Sequence, residues 1–131
     1  MEFSDVIKNR YSCKKFSSEQ IGKDKLDAIL EAGRVAPTAK NLQEQHIYVV
    51  QSESALETID KLTPCRYNAP TVLIVAYNKN NVFTYLGDKR NSGIEDATIV
   101  ATHLMLAAYN EGVDSCWICL LYTSPSPRDC S

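Results

Sequence analysis

A single domain of mixed helices and strands is what this sequence predicts, on three observations. Four segments carry apolar residues at helical spacing. Two short runs are β-branched or continuously apolar, as strands are. Turn-forming Gly, Pro and Asn fall between them. The 131 residues are enough for one domain with a real core, and no repeat or composition break marks a second.

In chain order, residues 3–9 form a short helix with Ser4 as its expected N-cap and Phe3, Val6 and Ile7 on one side. A basic stretch follows, Arg10-Tyr11-Ser12-Cys13-Lys14-Lys15-Phe16, and residues 17–22 are turn-like. Residues 23–32 read as a helix through Leu26, Ile29 and Leu30, with Gly33 near its end. Pro37 then bars easy continuation and opens a loop of short polar groups. Residues 46–50 are a strand. Residues 54–62 are a helix, with Ser54 and Glu57 spaced as a capping box.

Residues 64–70 are a rigid connector. The apolar run 71–76 is expected to be a central strand covered on both faces. Residues 78–90 form a polar loop, its Asp88-Lys89-Arg90 end solvated. The longest element starts at Ser92-Gly93-Ile94-Glu95, another capping-box pattern, and Gly112 ends it. It is apolar almost all round, so burial on most sides is expected. His103 lies within it and reads as a satisfied core histidine. Residues 115–118 begin a further strand.

The bulk properties narrow the function. A net charge of −2 does not suit a nucleic-acid binder. No apolar run reaches membrane-spanning length, and residues 1–5 lack a secretory pattern, so cytoplasmic residence is the expectation. The five cysteines are odd in number and irregularly spaced, which argues against a disulfide framework. Cys13, Cys65, Cys116 and His46 fit no finger-like metal spacing.

Two segments carry candidate chemistry. An extended chain turns residues i, i+2 and i+4 to one face, so Arg10, Ser12 and Lys14 would converge while Cys13 faces away. Arg and Lys only donate hydrogen bonds, and Ser does either. A flat, electron-rich or anionic ligand suits that set; a solvated basic loop is the alternative. In Ala36-Pro37-Thr38-Ala39-Lys40-Asn41-Leu42-Gln43, the Asn41 and Gln43 amides suit a ring edge bearing N–H and C=O groups, with plain turn chemistry as the alternative.

Taken in order, these segments resemble the nitroreductase family of flavin enzymes. The basic stretch is similar to the family's Arg-x-Ser-x-Arg/Lys opening, and residues 36–43 to its Ala-Pro-Ser-x-x-Asn-x-Gln loop. Ala69-Pro70 before an apolar strand is the third match. Asp96 leading into Leu104-Met105-Leu106-Ala107-Ala108, then Glu111-Gly112-Val113-Asp114-Ser115-Cys116-Trp117-Ile118, is the fourth. The resemblance implies an α+β fold with a central β-sheet flanked by helices, and an obligate homodimer with FMN in the interface. Arg10, Tyr11, Ser12 and Lys14 would approach FMN from one subunit, and Thr38, Asn41 and Gln43 from the other. Lys14 or Arg10 would stabilise the negative charge of the reduced flavin. The flavin carries the hydride chemistry, so no catalytic side chain is implied.

That reading makes the protein an FMN-dependent oxidoreductase. It would pass hydride from NAD(P)H to a nitroaromatic, quinone or similar small-molecule acceptor by a ping-pong route. A non-enzymatic flavin-binding or partner-binding protein on the same fold is the alternative. The family usually has Pro-Trp after the loop's Gln, where Glu44 and Gln45 stand here, and that departure leaves room for it.

Residues 119–129 match a translated sequencing adapter. The nitroreductase-like domain is therefore expected to span residues 1–118 and to be incomplete at its C-terminus, with 119–131 a non-native tail. Cys116-Trp117-Ile118-Cys119 is then an accident of the junction. Such a fragment would be poorly stable, bind FMN weakly and be inactive.

Overall fold

A computed structural model of the chain describes residues 1–87 and 90–119. Asp88, Lys89, Cys130 and all but the first residue of the expected tail lie outside them. Helix α1 spans Phe3–Asn9 and α2 Lys23–Arg34. Strand β1 (Gln45–Val50), helix α3 (Glu53–Leu62), strand β2 (Val72–Tyr77) and helix α4 (Gly93–Asn110) follow. No helix among these residues is long and apolar enough to cross a membrane.

Helix α4 is the axis of the packing. It lies against α2, touches α1, and crosses both strands of an antiparallel β1–β2 pair. In that pair Gln45 stands opposite Tyr77 and Val50 opposite Val72. The core joins Ile29 and Ala36 to Val100, Leu104 and Ala108 of α4, with Ile47, Leu73 and Val75 packed on from the sheet. The buried α4 positions Asp96, Val100, Leu104 and Ala108 recur every fourth residue, the period that keeps side chains on one helical face.

Several details differ from the sequence expectation. The first half of α4 is buried only on that face and at Gly93, with Ile94 72% exposed and Ile99 36%, whereas residues 101–109 are at least half-buried all round. β2 is half-buried rather than covered on both faces, because the described sheet has two strands. Each strand also starts one residue away from its expected start. Helix α1 has Glu2, not Ser4, at its N-cap, and α2 runs on through Gly33 to Arg34. In α3 the cap is Ser52, whose hydroxyl accepts from Ala55 N–H at 3.3 Å, so the Ser54–Glu57 box does not form. Ser92 is the N-cap of α4, but its hydroxyl caps no backbone N–H. Residues 115–118 form no strand; Ser115 makes one parallel bridge, to Ser12.

The end of α4 is as read. Gly112 takes φ +75, which glycine adopts without a Cβ penalty. Gly112 N–H donates to Tyr109 O at 2.9 Å and Val113 N–H to Ala108 O at 2.8 Å, the paired bonds of a Schellman stop. His103 Nδ1 donates to Ala32 O at 3.3 Å, which satisfies the ring from α2.

Gly33 shows why α2 and α4 can lie close. A Cβ there would stand 2.7 Å from Leu104 Cδ2 and 3.0 Å from Ile47 Cδ1. Overpacking of a core costs about 1–3 kcal/mol, while Gly to Ala in a helix returns about 1 kcal/mol. Gly33→Ala should therefore lower stability by about 1 kcal/mol net in chemical denaturation, the reverse of the gain expected at an open helical site.

Candidate functional site

The basic stretch runs extended from the end of α1. Cys13 is 8% exposed while Ser12 and Lys14 are exposed, the alternation expected of such a segment. It is held by the segment that follows α4. Cys13 N–H donates to Ser115 O at 2.9 Å, and Tyr11 Oη–H donates to Asp114 Oδ2 at 3.0 Å. The Asp114 hydrogen bond and its negative charge raise the Tyr11 phenol pKa. Arg10 is half-buried, and its Nε is buried without a protein partner.

Residues 38–43 form a tight left-handed turn at the other end of α4. Lys40, Asn41 and Gln43 have φ of 58, 52 and 54. Asn tolerates this region better than other residues, whereas Lys and Gln are strained there. Leu42, in right-handed geometry, precedes left-handed Gln43, an order that turns successive N–H groups to one side as in an anion-binding nest. Thr38 is half-buried, its Oγ1 buried without a partner; the Asn41 and Gln43 side chains are exposed. Neighbouring residues brace the turn. Asn81 Nδ2 donates to Leu42 O at 3.2 Å, and Lys40 Nζ sits 5.4 Å from the centre of the Phe83 ring.

Two buried carboxyls fasten the turn to the fold. Asp96, 2% exposed in the first turn of α4, accepts Ala39 N–H at 2.9 Å and the Ser92 hydroxyl at 2.7 Å. Glu44, 1% exposed, directly follows the turn, and its carboxyl lies beside that of Asp96. Gln45 Nε2 donates to Glu44 Oε1 at 2.6 Å, while Glu44 Oε2 is buried with no donor. Burial, followed by the hydrogen bond to Asp96, pushes the Glu44 pKa up. Burial also pushes Asp96 up, but hydrogen bonds from Glu44, Ser92 and the Ala39 amide outweigh it and hold Asp96 below its ordinary range.

The structure therefore gathers Arg10, Tyr11, Ser12 and Lys14 on one strand-like segment and Thr38, Asn41 and Gln43 on one turn. It does not bring the two groups together within one chain. The first is pinned beyond the C-terminus of α4 and the second at its N-terminus. The 18 residues of α4 make it about 27 Å long at ~1.5 Å per residue. In the sequence Glu44 stands out only as a departure from the loop motif, and Asp96 only as part of another. Their pairing leaves no periodic signal; the available hint was a charged residue at the entrance of an apolar strand. Among the described residues no group of three or more His, Cys, Asp or Glu could hold a metal ion.

The profile of the Nitroreductase family matches residues 7–66. A crystal structure of a nitroreductase family protein from Clostridium difficile 630 superposes with a TM-score of 0.89 at 33% identity, covering 92% of this chain and 70% of that one. A nitroreductase with bound FMN from Bacteroides fragilis superposes at 0.76 with 26% identity, covering 89% of this chain and 69% of that one. A candidate NADH dehydrogenase/NAD(P)H nitroreductase from Methanothermobacter thermautotrophicus is 26% identical over 120 residues, 89% of this chain and 60% of its own length. The α+β arrangement of helices around a small sheet is thus the nitroreductase fold.

Proposed function

The chain belongs to the nitroreductase family, and on that premise we propose that the protein is an FMN-dependent oxidoreductase drawing on NAD(P)H. When bound, FMN supplies hydride transfer, from the nicotinamide to a nitroaromatic, quinone or similar acceptor in ping-pong order. The chain spans 60% and 64% of the length of two curated relatives it matches, so activity is proposed for the whole protein. The chain's own residues have three tasks: to hold the cofactor, to set the charge around it and to leave one face open.

The observation that carries this reading is a pair of donor-rich half-sites with unfinished hydrogen bonding. Arg10 Nε and Thr38 Oγ1 are buried without protein partners, and such groups normally find one. A flavin with a ribityl phosphate offers acceptors and donors of the matching kinds, so the residues present fit it. The same geometry supports a homodimer. One chain holds its half-sites at opposite ends of α4, and a second copy can set its turn against the first copy's basic segment. Tyr11 would then act through its bond to Asp114, which steadies the neighbouring Ser12. Lys14 is the charge-setting residue, because an ammonium beside a flavin favours the reduced, negatively charged form.

The test is spectroscopic. Yellow protein should bleach with NAD(P)H and recover its colour with a nitro compound. Bound flavin that no nicotinamide bleaches would favour a flavin-binding protein without reductase activity. Lys14→Ala should make the flavin potential more negative and slow bleaching more than it weakens FMN binding. Unchanged potential and kinetics would remove Lys14 from this role.

A further inference from the structure

Glu44 and Asp96 stand apart from the cofactor contacts and have no evident task in hydride transfer. Both are almost fully buried, and two ionised carboxylates in contact in such a site would repel. A hydrogen bond between carboxyls requires one of them to carry the proton. Asp96 already accepts from Ala39 N–H and Ser92 Oγ–H, which suits the ionised form. Glu44 accepts at Oε1 from Gln45 and has no donor at Oε2, so a proton on Oε2 turns an orphaned acceptor into a donor.

We propose that Glu44 and Asp96 share one proton, and that this carboxylic acid–carboxylate clamp holds residues 38–43 in their strained left-handed turn. Glu44 is then a positioning residue for the Thr38, Asn41 and Gln43 half-site. This last step rests on the cofactor reading of that turn; the clamp itself does not. The strain at Lys40 and Gln43 needs an anchor on each side, and the clamp supplies both. Asp96 grips Ala39 near the front of the turn, and Glu44 is the residue at its back. Glu44 is itself fixed through its backbone, its carbonyl accepting Asn78 N–H at 2.8 Å.

The surroundings supply no competing cation among the described residues. Lys40 of the turn lies over Phe83. Arg90, before α4, lies over Tyr85 at 4.5 Å and approaches Glu95 at 3.9 Å. Among the described residues the two carboxyls receive the Gln45 amide from β1, the Ser92 hydroxyl from the entrance to α4 and the Ala39 N–H from the turn. The two titrations bound a working window. Glu44 is raised, so its contribution is complete below the ordinary glutamate range and is lost as pH climbs through its raised pKa. Asp96 is lowered, so its contribution is present above the ordinary aspartate range and is lost as pH falls through its depressed pKa.

Two measurements on the flavin-free protein test the clamp. Infrared spectroscopy at neutral pH should reveal a protonated carboxyl C=O band that Glu44→Gln removes. Hydrogen exchange at the Ala39 amide, read by NMR, should lose about tenfold or more of its protection as pH rises through the Glu44 pKa. Glu44→Gln should keep that protection flat, since its amide donates to Asp96 without titrating. The clamp is overturned if wild-type protein has no such band, or if Ala39 protection follows the same pH course in both proteins. Should Glu44→Gln not fold, the wild-type band and pH course decide alone. A protein that passes both tests yet takes up no FMN would overturn the cofactor reading only.

Discussion

Asp96→Ala should cost the fold about 3–5 kcal/mol, because it strips an acceptor from several buried groups at once. The Ala39 amide and the Ser92 hydroxyl both lose the oxygen they donate to, and the Glu44 carboxyl loses its partner. A buried donor left unsatisfied costs about 1–3 kcal/mol, and water has little access to a site whose two acids are 1% and 2% exposed. Against a typical total of about 5–15 kcal/mol, that is a large share of the stability. Ser92→Ala removes one donor and leaves Asp96 its others, so it should cost only about 1 kcal/mol. Chemical denaturation of the three proteins measures both losses. An Asp96→Ala variant as stable as Ser92→Ala would mean that the turn does not depend on this carboxylate.

The second large effect falls on cofactor affinity. Arg10→Ala should weaken FMN binding by about 1.5–3 kcal/mol, or roughly 10–100-fold, the range for a hydrogen bond made by a charged group. Asn41→Gly should weaken it by about 1 kcal/mol, and glycine spares the φ of 52 that alanine would strain. Among the described residues neither side chain hydrogen-bonds the protein, so melting of the flavin-free variants should stay close to wild type. Flavin fluorescence titration gives the affinities. Loss of stability without loss of affinity would assign both residues to the scaffold.

The sequence made the helices legible because α2, α3 and α4 each present apolar residues at a steady period. Gly112 was legible because its left-handed stop has a chemical signature. The caps were not. Ser52 and Ser54 both lie at the start of α3, and only the backbone entering it decides that Ser52 accepts the amide. The apolar run of β2 suggested burial on both faces, but periodicity cannot say how many strands flank it. At the site, alternation in residues 10–14 was readable, and Cys13 does point inward. The Glu44–Asp96 contact was hidden, since it depends on where the chain folds back and not on any local pattern. The assignment of Arg10, Ser12, Lys14, Thr38, Asn41 and Gln43 to one ligand came from the order of the motifs rather than from the residues alone.

The account turns on a cofactor site assembled from two chains, one giving the basic segment and the other the turn. Co-expressing Arg10→Ala and Asn41→Gly chains with different tags, then isolating the mixed dimer, tests this most directly. In that dimer one site carries both substitutions and the other neither. The account predicts wild-type FMN affinity at one site per mixed dimer, with neither parent variant reaching it. If the mixed species binds FMN no better than its parents, or if no mixed dimer forms while each wild-type monomer binds FMN alone, the two-chain site is contradicted.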